Sequence, residues 1–129
     1  MHMRKLSRDL WIWAPPIALM AVIFALSAMP ADNEDHGFLY ILSRKVAHFS
    51  EYALLLALWW RALATKVSER RALVLALAIT VLYAATDELH QTFVNGRAGR
   101  PLDVGSDTAG ALAAAALIAR AKLRRRVRA

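Results

Sequence analysis

Side chains that could transfer protons or bind ions are concentrated in three short stretches of an otherwise apolar chain. Within each stretch the spacings of three, four and seven residues place several side chains on or near one helical face. An imidazole beside a carboxylate can share a proton, and an ammonium group nearby can hold an anion. In chain order these residues are Lys45, His48, Glu51, Tyr52, Asp87, Glu88, Gln91, Asp103 and Asp107.

Roles for these residues follow from their chemistry. We predict that His48, Glu51 and Asp87 transfer protons. Lys45 and Arg97 would hold an anionic group, because a guanidinium fork fits phosphate or carboxylate. The predicted binding residues are Lys45, Tyr52, Glu88, Gln91, Arg97, Asp103 and Asp107.

Structural explanations for the same residues stay open. The charged groups could form a salt-bridge network that holds helices together. Asp103 could cap a helix start, where a carboxylate accepts hydrogen bonds from free amides. Glu88 and His90 could mark the point where a helix leaves a membrane, and Arg97 and Arg100 could pair with nearby acids.

The sequence predicts no cofactor. The chain has no cysteine, which excludes disulfides, thiolate metal ligands and a cysteine nucleophile. A divalent cation held by His48 and the acidic residues is an alternative, although their spacing matches no metal signature such as His-Glu-x-x-His. The identity of any metal is therefore left open.

Four apolar segments must position these residues. The chain has 129 residues, 58% of them hydrophobic, and its first apolar run, Trp11 to Met29, holds 19 residues without a charge. A run of that length can cross about 30 Å of hydrocarbon. We predict helices over residues 10–29, 43–65, 68–91 and 103–124, with Ser68 as an N-cap. The fold class is all-α, a four-helix integral membrane bundle forming a single domain over residues 1–129.

The charge distribution predicts the orientation of this bundle. The N-terminus, the connection between segments two and three and the C-terminal tail hold 13 of the 17 basic residues, whereas eight of the ten acidic residues lie on the other side. The positive-inside rule then places both termini in the cytoplasm and the polar residues outside. Along the predicted helices, at roughly 1.5 Å per residue, His48 lies about 20 Å from Arg61, Asp107 about 20 Å from Arg120 and Asp87 about 24 Å from Arg71. The three residues therefore reach a similar depth.

The net charge of +7 and the basic tail from Lys122 to Arg128 raise the question of nucleic acid. No aromatic residues interleave with the tail, as a single-strand stacking surface would require. A basic run directly after an apolar helix instead indicates topology or attraction to anionic lipid headgroups. We therefore predict membrane lipids as partners and no nucleic acid.

Taken together, the three stretches resemble the VanZ-like family of small bacterial membrane proteins. The pattern extends over residues 44–115 and includes Phe93, Gly96 and Gly110; His90 and Arg100 are not part of it. The family often has asparagine where Asp107 stands. The resemblance implies a multi-pass protein of the bacterial cytoplasmic membrane. The family's namesake is associated with resistance to the glycopeptide teicoplanin, and no reaction is established for the family.

Two classes of function follow. The first is an enzyme acting at the outer leaflet on an envelope lipid or cell-wall intermediate, because a sheltered polar pocket can organise acid–base chemistry. The second is a non-catalytic binding or scaffold protein whose ion-pair network is structural. Transport is less favoured, since four helices without inverted repeats hardly supply alternating access. The oligomeric state is not predicted.

Overall fold

The computed structural model describes residues 1–28, 37–93 and 101–129, with side chains for all of these except 101–104 and 106. These residues form four helices and no strand, which confirms the all-α prediction. The helices are α1 (His2–Ser27), α2 (Phe38–Leu63), α3 (Glu69–Gln91) and α4 (Pro101–Arg128).

The helices differ from the predicted segments mainly at their ends. Helix α1 begins at His2 and α4 continues to Arg128, so both extend farther into the basic termini than the apolar runs do. Lysine and arginine are good helix formers, and an apolar run marks only the part of a helix that avoids water. The predicted N-cap Ser68 is confirmed, because its hydroxyl accepts a hydrogen bond of 3.3 Å from the Arg71 amide.

Helix α2 is the central element of the bundle and packs against each of the other three helices. Successive helices run antiparallel, so α2 and α4 are parallel to each other. One cluster of buried side chains joins α1, α2 and α3, and a second joins α2, α3 and α4 through small alanine side chains. These clusters consist of Ile23, Tyr52, Leu55 and Ala84, and of Leu56, Ala76 and Ala111.

We call the end of the bundle that holds the chain termini the basic end. A hydrogen bond from α2 at this end replaces one that is lost to a proline in α1. Pro15 has no amide hydrogen, so the Trp11 carbonyl lacks the usual donor four residues later. The Arg61 guanidinium of α2 supplies that donor at 2.6 Å. The rings of Trp13 and Trp59 lie beside it with centroids 6.3 Å apart. Arg61 thus fastens the first half of α1 to α2.

Two of the helices, His2–Ser27 and Glu69–Gln91, are long and apolar enough to cross a membrane, judged by length and composition. The four membrane spans, their orientation and the cytoplasmic position of both termini stay predictions. The loop predicted over residues 93–101 lies largely outside the described residues.

Candidate functional site

The centre of the candidate site is the Asp87 side chain, which is only 3% exposed near the end of α3. One of its oxygens, Oδ2, accepts three hydrogen bonds from neutral groups on three helices. The donors are the Ser27 hydroxyl of α1 at 2.9 Å, the Tyr52 hydroxyl of α2 at 3.3 Å and the Gln91 amide of α3 at 3.3 Å. These four residues are hereafter the Asp87 cluster.

The second oxygen of Asp87 differs from the first. Asp87 Oδ1 is buried and has no hydrogen-bond partner among the described residues. Buried polar atoms are nearly always paired, so an unpaired carboxylate oxygen calls for an explanation such as a ligand, an ion or a water molecule. The Asp87 carboxylate is therefore held in place through Oδ2, and Oδ1 is an acceptor without a partner among the described residues.

The contribution of α1 to this cluster was missed by the sequence analysis, which assigned the site to the other three helices. Ser27 is buried, and its hydroxyl also accepts a hydrogen bond of 3.3 Å from the Gln91 amide. A serine is neutral and inconspicuous in an apolar run. The available signal was its position, since the predicted topology places Ser27, at the end of the first segment, on the same side of the bundle as Asp87 and Asp107.

Helix α2 also contributes a pair of polar side chains near Tyr52: Glu51 directly precedes it, and His48 lies one turn earlier. His48 Nδ1 lies 3.6 Å from Glu51 Oε2, and both side chains are half-buried. This places an imidazole and a carboxylate together, as the sequence predicted. Lys45 shares their helix but is exposed and forms no ion pair with any other described residue, so the structure does not bring it into the site.

Helix α4 brings Asp107 to the same region. Its side chain is 5% exposed and lies within electrostatic range of Tyr52. The helix approaches closely because Gly110 stands against α2, where an added Cβ would come within 3.1 Å of the Phe49 Cα. Small residues permit such backbone approach between helices. Gly110 therefore sets the distance at which Asp107 faces α2.

Two neighbours of the Asp87 cluster on α3 have different surroundings. Glu88 is buried, and its predicted binding role stays a prediction. His90, which the family pattern does not include, stacks on Phe24 of α1 with ring centroids 4.5 Å apart. Its contact with Phe24 adds a second point, beside Ser27, where the end of α1 rests on the end of α3.

The predicted site residues thus fall into three groups. Tyr52, Asp87 and Gln91 share hydrogen bonds, and His48, Glu51, Glu88 and Asp107 lie on the neighbouring turns. Lys45 is separate from them. Arg97 and the Asp103 side chain lie outside the described residues, so the anion-binding role of Arg97 stays a prediction.

No three histidine or acidic side chains among the described residues are grouped so that they could hold a metal ion. The described part of the site contains carboxylates, an imidazole and neutral hydrogen-bonding groups.

Comparison with protein families identifies the chain. Residues 11–122 match the family model described as VanZ/LLP1. The chain belongs to the VanZ/LLP1 family. The matched range includes every predicted site residue from Lys45 to Asp107, and it confirms the resemblance drawn from the three polar stretches. Comparison with curated proteins and with solved structures gives no match for this family member.

Proposed function

We propose that this VanZ/LLP1 family member is a multi-pass protein of the bacterial cytoplasmic membrane, with both termini on the cytoplasmic side. The basic end supports this proposal because 13 of the 17 basic residues lie there. All four tryptophans, at positions 11, 13, 59 and 60, also lie near that end, and tryptophan is enriched at membrane interfaces. The Asp87 cluster would then face the outer leaflet.

We further propose that the Asp87 cluster binds the polar head of an envelope lipid or cell-wall intermediate. The observation that carries this proposal is Asp87 Oδ1, a buried carboxylate oxygen without a hydrogen-bond partner among the described residues. Ionisable groups at membrane depth are costly and usually functional. A hydroxyl or ammonium group on a lipid head could donate a hydrogen bond to this oxygen.

The hydrogen bonds to Asp87 Oδ2 also support the binding proposal. Ser27, Tyr52 and Gln91 hold Oδ2 from three helices, so the carboxylate orientation does not depend on a ligand. A preorganised group loses less conformational entropy on binding than a mobile one. Arg97 and Lys45 remain the proposed contacts for an anionic part of the same ligand.

A second candidate function is proton-transfer catalysis on the bound lipid. The observation that favours it is the His48–Glu51 pair on α2, where an imidazole nitrogen and a carboxylate oxygen lie 3.6 Å apart and either group could exchange a proton with a bound ligand. In this case Asp87 would bind the head of the lipid and His48 would exchange the proton. The reaction class would be hydrolysis or group transfer.

The test compares Asp87→Asn with a matched control, Asp9→Asn, which makes the same change at the basic end. Purified full-length variants are titrated with extracted envelope lipids while their thermal unfolding midpoints are recorded. Lipid should stabilise wild type and Asp9→Asn. Binding to Asp87→Asn should weaken at least about tenfold, because a hydrogen bond to a charged group contributes about 1.5–3 kcal/mol.

Mass spectrometry of the same mixtures distinguishes the two functions. Products formed by wild type but not by a folded His48→Ala variant would establish catalysis. Binding without products would establish a binding protein. Equal lipid stabilisation of folded Asp87→Asn and wild type would refute the proposed site, and loss of folding in that variant would favour the structural network instead.

A role in glycopeptide resistance is a finer form of the same proposal, and it rests on the family rather than on the site. It predicts that expression of the chain in a susceptible bacterium raises the teicoplanin concentration needed to inhibit growth. The increase should disappear with Asp87→Asn at equal expression. An increase that persists with this variant would separate resistance from the Asp87 cluster.

A further inference from the structure

The C-terminal part of α4 carries a second feature, far from the Asp87 cluster. Six basic residues lie on its last turns: Arg120, Lys122, Arg124, Arg125, Arg126 and Arg128. Lys122 alone points into the bundle. Its ammonium group lies 2.5 Å from the Glu69 carboxylate of α3 and 5.3 Å from the ring centre of Trp60 on α2.

Three of the five arginines occupy another side of the helix from Lys122. Residues four apart share a helical face, whereas residues two apart do not face each other, so Arg120, Arg124 and Arg128 point away from the side of Lys122. Together with Arg125 and two apolar residues, Leu117 and Ala121, they line a shallow surface groove that is formed by α4 alone. All six groove residues are exposed, and we call them the arginine groove.

The charge of the arginine groove is not neutralised within the described part of the protein. None of its four arginines forms an ion pair with a described acidic residue. The only acidic residues at the basic end are Asp9 and Glu69, and Glu69 is already paired with Lys122. A concentrated positive charge of this kind attracts anions from outside the chain.

The order of residues along the groove indicates which anion fits. The apolar residue Leu117 lies on the side nearer the middle of the bundle, and Arg128 lies at the outer end. Leu117 and Arg124 are seven residues apart, about 10 Å at roughly 1.5 Å per residue. A phospholipid has the same order, with acyl chains toward the membrane centre and phosphate at the surface.

We propose that the arginine groove binds the phosphate of an anionic phospholipid in the leaflet at the basic end, with an acyl chain along Leu117 and Ala121. Guanidinium groups bind phosphate oxygens in a bidentate manner. Trp60 of α2 contacts Lys122 and so lies at the same level of the bundle as this part of α4, as expected for a tryptophan at a membrane interface. This inference rests on the proposed membrane insertion and is independent of the Asp87 cluster.

The experiment uses the full chain in a neutral detergent and measures binding of phosphatidylglycerol and of phosphatidylcholine with the same acyl chains. The variant is the triple substitution Arg120→Gln, Arg124→Gln and Arg128→Gln. Each basic residue near a membrane surface contributes about fivefold to binding of anionic lipid, so the triple variant should bind phosphatidylglycerol about 100-fold more weakly.

The matched control is the triple substitution Arg4→Gln, Lys5→Gln and Arg8→Gln, which removes equal charge from the start of α1. This control and Asp87→Asn should keep wild-type affinity for phosphatidylglycerol. Because the arginines are exposed and form no ion pair with a described residue, the groove variant should keep the wild-type thermal midpoint, and its helical content by circular dichroism checks this.

Four results would overturn the inference. Equal losses in both triple variants would indicate general electrostatic attraction. Equal binding of phosphatidylcholine would remove the role of charge in the headgroup. Competition by millimolar inorganic phosphate alone would indicate a site for free anions, and tighter arginine-dependent binding of single-stranded DNA would indicate a nucleic-acid surface. A change in Asp87 ligand binding alone would leave the inference unaffected.

Discussion

The two ends of this bundle differ in whether their charged side chains are buried or exposed. At the end that holds the Asp87 cluster, Asp87 is buried and its Oδ2 accepts hydrogen bonds from neutral donors on three helices. At the basic end, the arginines of the arginine groove are exposed and unpaired within the described residues. Both ends carry charge, but the charged side chain of Asp87 is buried between helices, whereas the arginines of the arginine groove are exposed.

This difference follows from the cost of burial. An exposed arginine keeps its hydration, so its charge costs the fold little and is free to attract a partner. A buried carboxylate loses hydration and must recover that loss through hydrogen bonds. Substitutions in the Asp87 cluster should therefore change stability, whereas substitutions of the exposed arginines at the basic end should mainly change binding.

The largest effect should come from removing a donor to Asp87. Ser27→Ala deletes the 2.9 Å hydrogen bond to Oδ2 and the acceptor used by Gln91, and we expect a loss of about 1.5–3 kcal/mol in unfolding free energy. Arg124→Gln at the basic end should change it by less than about 0.5 kcal/mol. Denaturant unfolding in detergent measures both, and equal losses would erase the contrast between the two ends.

The close approach of α4 to α2 gives the next effect. Gly110→Ala places a methyl group against the Phe49 backbone, and we expect overpacking to cost about 1–3 kcal/mol. Gly105→Ala, in the same helix with nothing within 4 Å, should stabilise the protein by about 0.5–1 kcal/mol. Thermal unfolding compares the two. Stabilisation by both would show that α4 can move away from α2 without cost.

Arg61 is the exception at the basic end, because it bonds to the fold itself. Arg61→Met leaves the Trp11 carbonyl without a donor, and we expect a loss of about 1 kcal/mol. In a Pro15→Ala background the restored amide can donate to that carbonyl, so the same substitution should cost less. A double-mutant cycle measures this coupling. Strict additivity would mean that Arg61 does not compensate for Pro15.

The smallest effect should come from the Lys122–Glu69 ion pair at 2.5 Å. Exposed pairs contribute about 0.2–1 kcal/mol, so Lys122→Gln should cost no more than that. The cost should shrink in about 1 M salt, where the screening length is about 3 Å. A salt-independent loss would mean that packing on Trp60, rather than charge, holds Lys122 in place.

Much of the fold could be predicted from the sequence because the signals for each helix lie within or next to its own segment. Apolar runs, the N-cap Ser68 and the basic residues at the helix ends depend only on near neighbours in the chain. The true length of α1 was underestimated because helix formation continues through charged residues that an apolar run excludes. Arg61 as the partner of the Trp11 carbonyl was not predictable, since the two residues are 50 positions apart.

The candidate site was predictable in part for a related reason. Charged residues in an apolar chain are conspicuous, so Asp87, Asp107 and the His48–Glu51 pair were found from type and spacing. Ser27 was not found, because a neutral hydroxyl raises no suspicion until a carboxylate lies beside it. The spacing of Lys45 from His48 predicts a shared face but not burial; Lys45 is exposed, and its binding role stays a prediction.

The sequence by itself determined the composition of each helix and which end of the bundle would be rich in arginine. Only the tertiary structure decided that three helices direct neutral donors at one oxygen of Asp87 and leave its other oxygen without a described partner. The physical reason is range: helix propensity acts over a few residues, whereas the pairing of a buried oxygen depends on packing between distant segments.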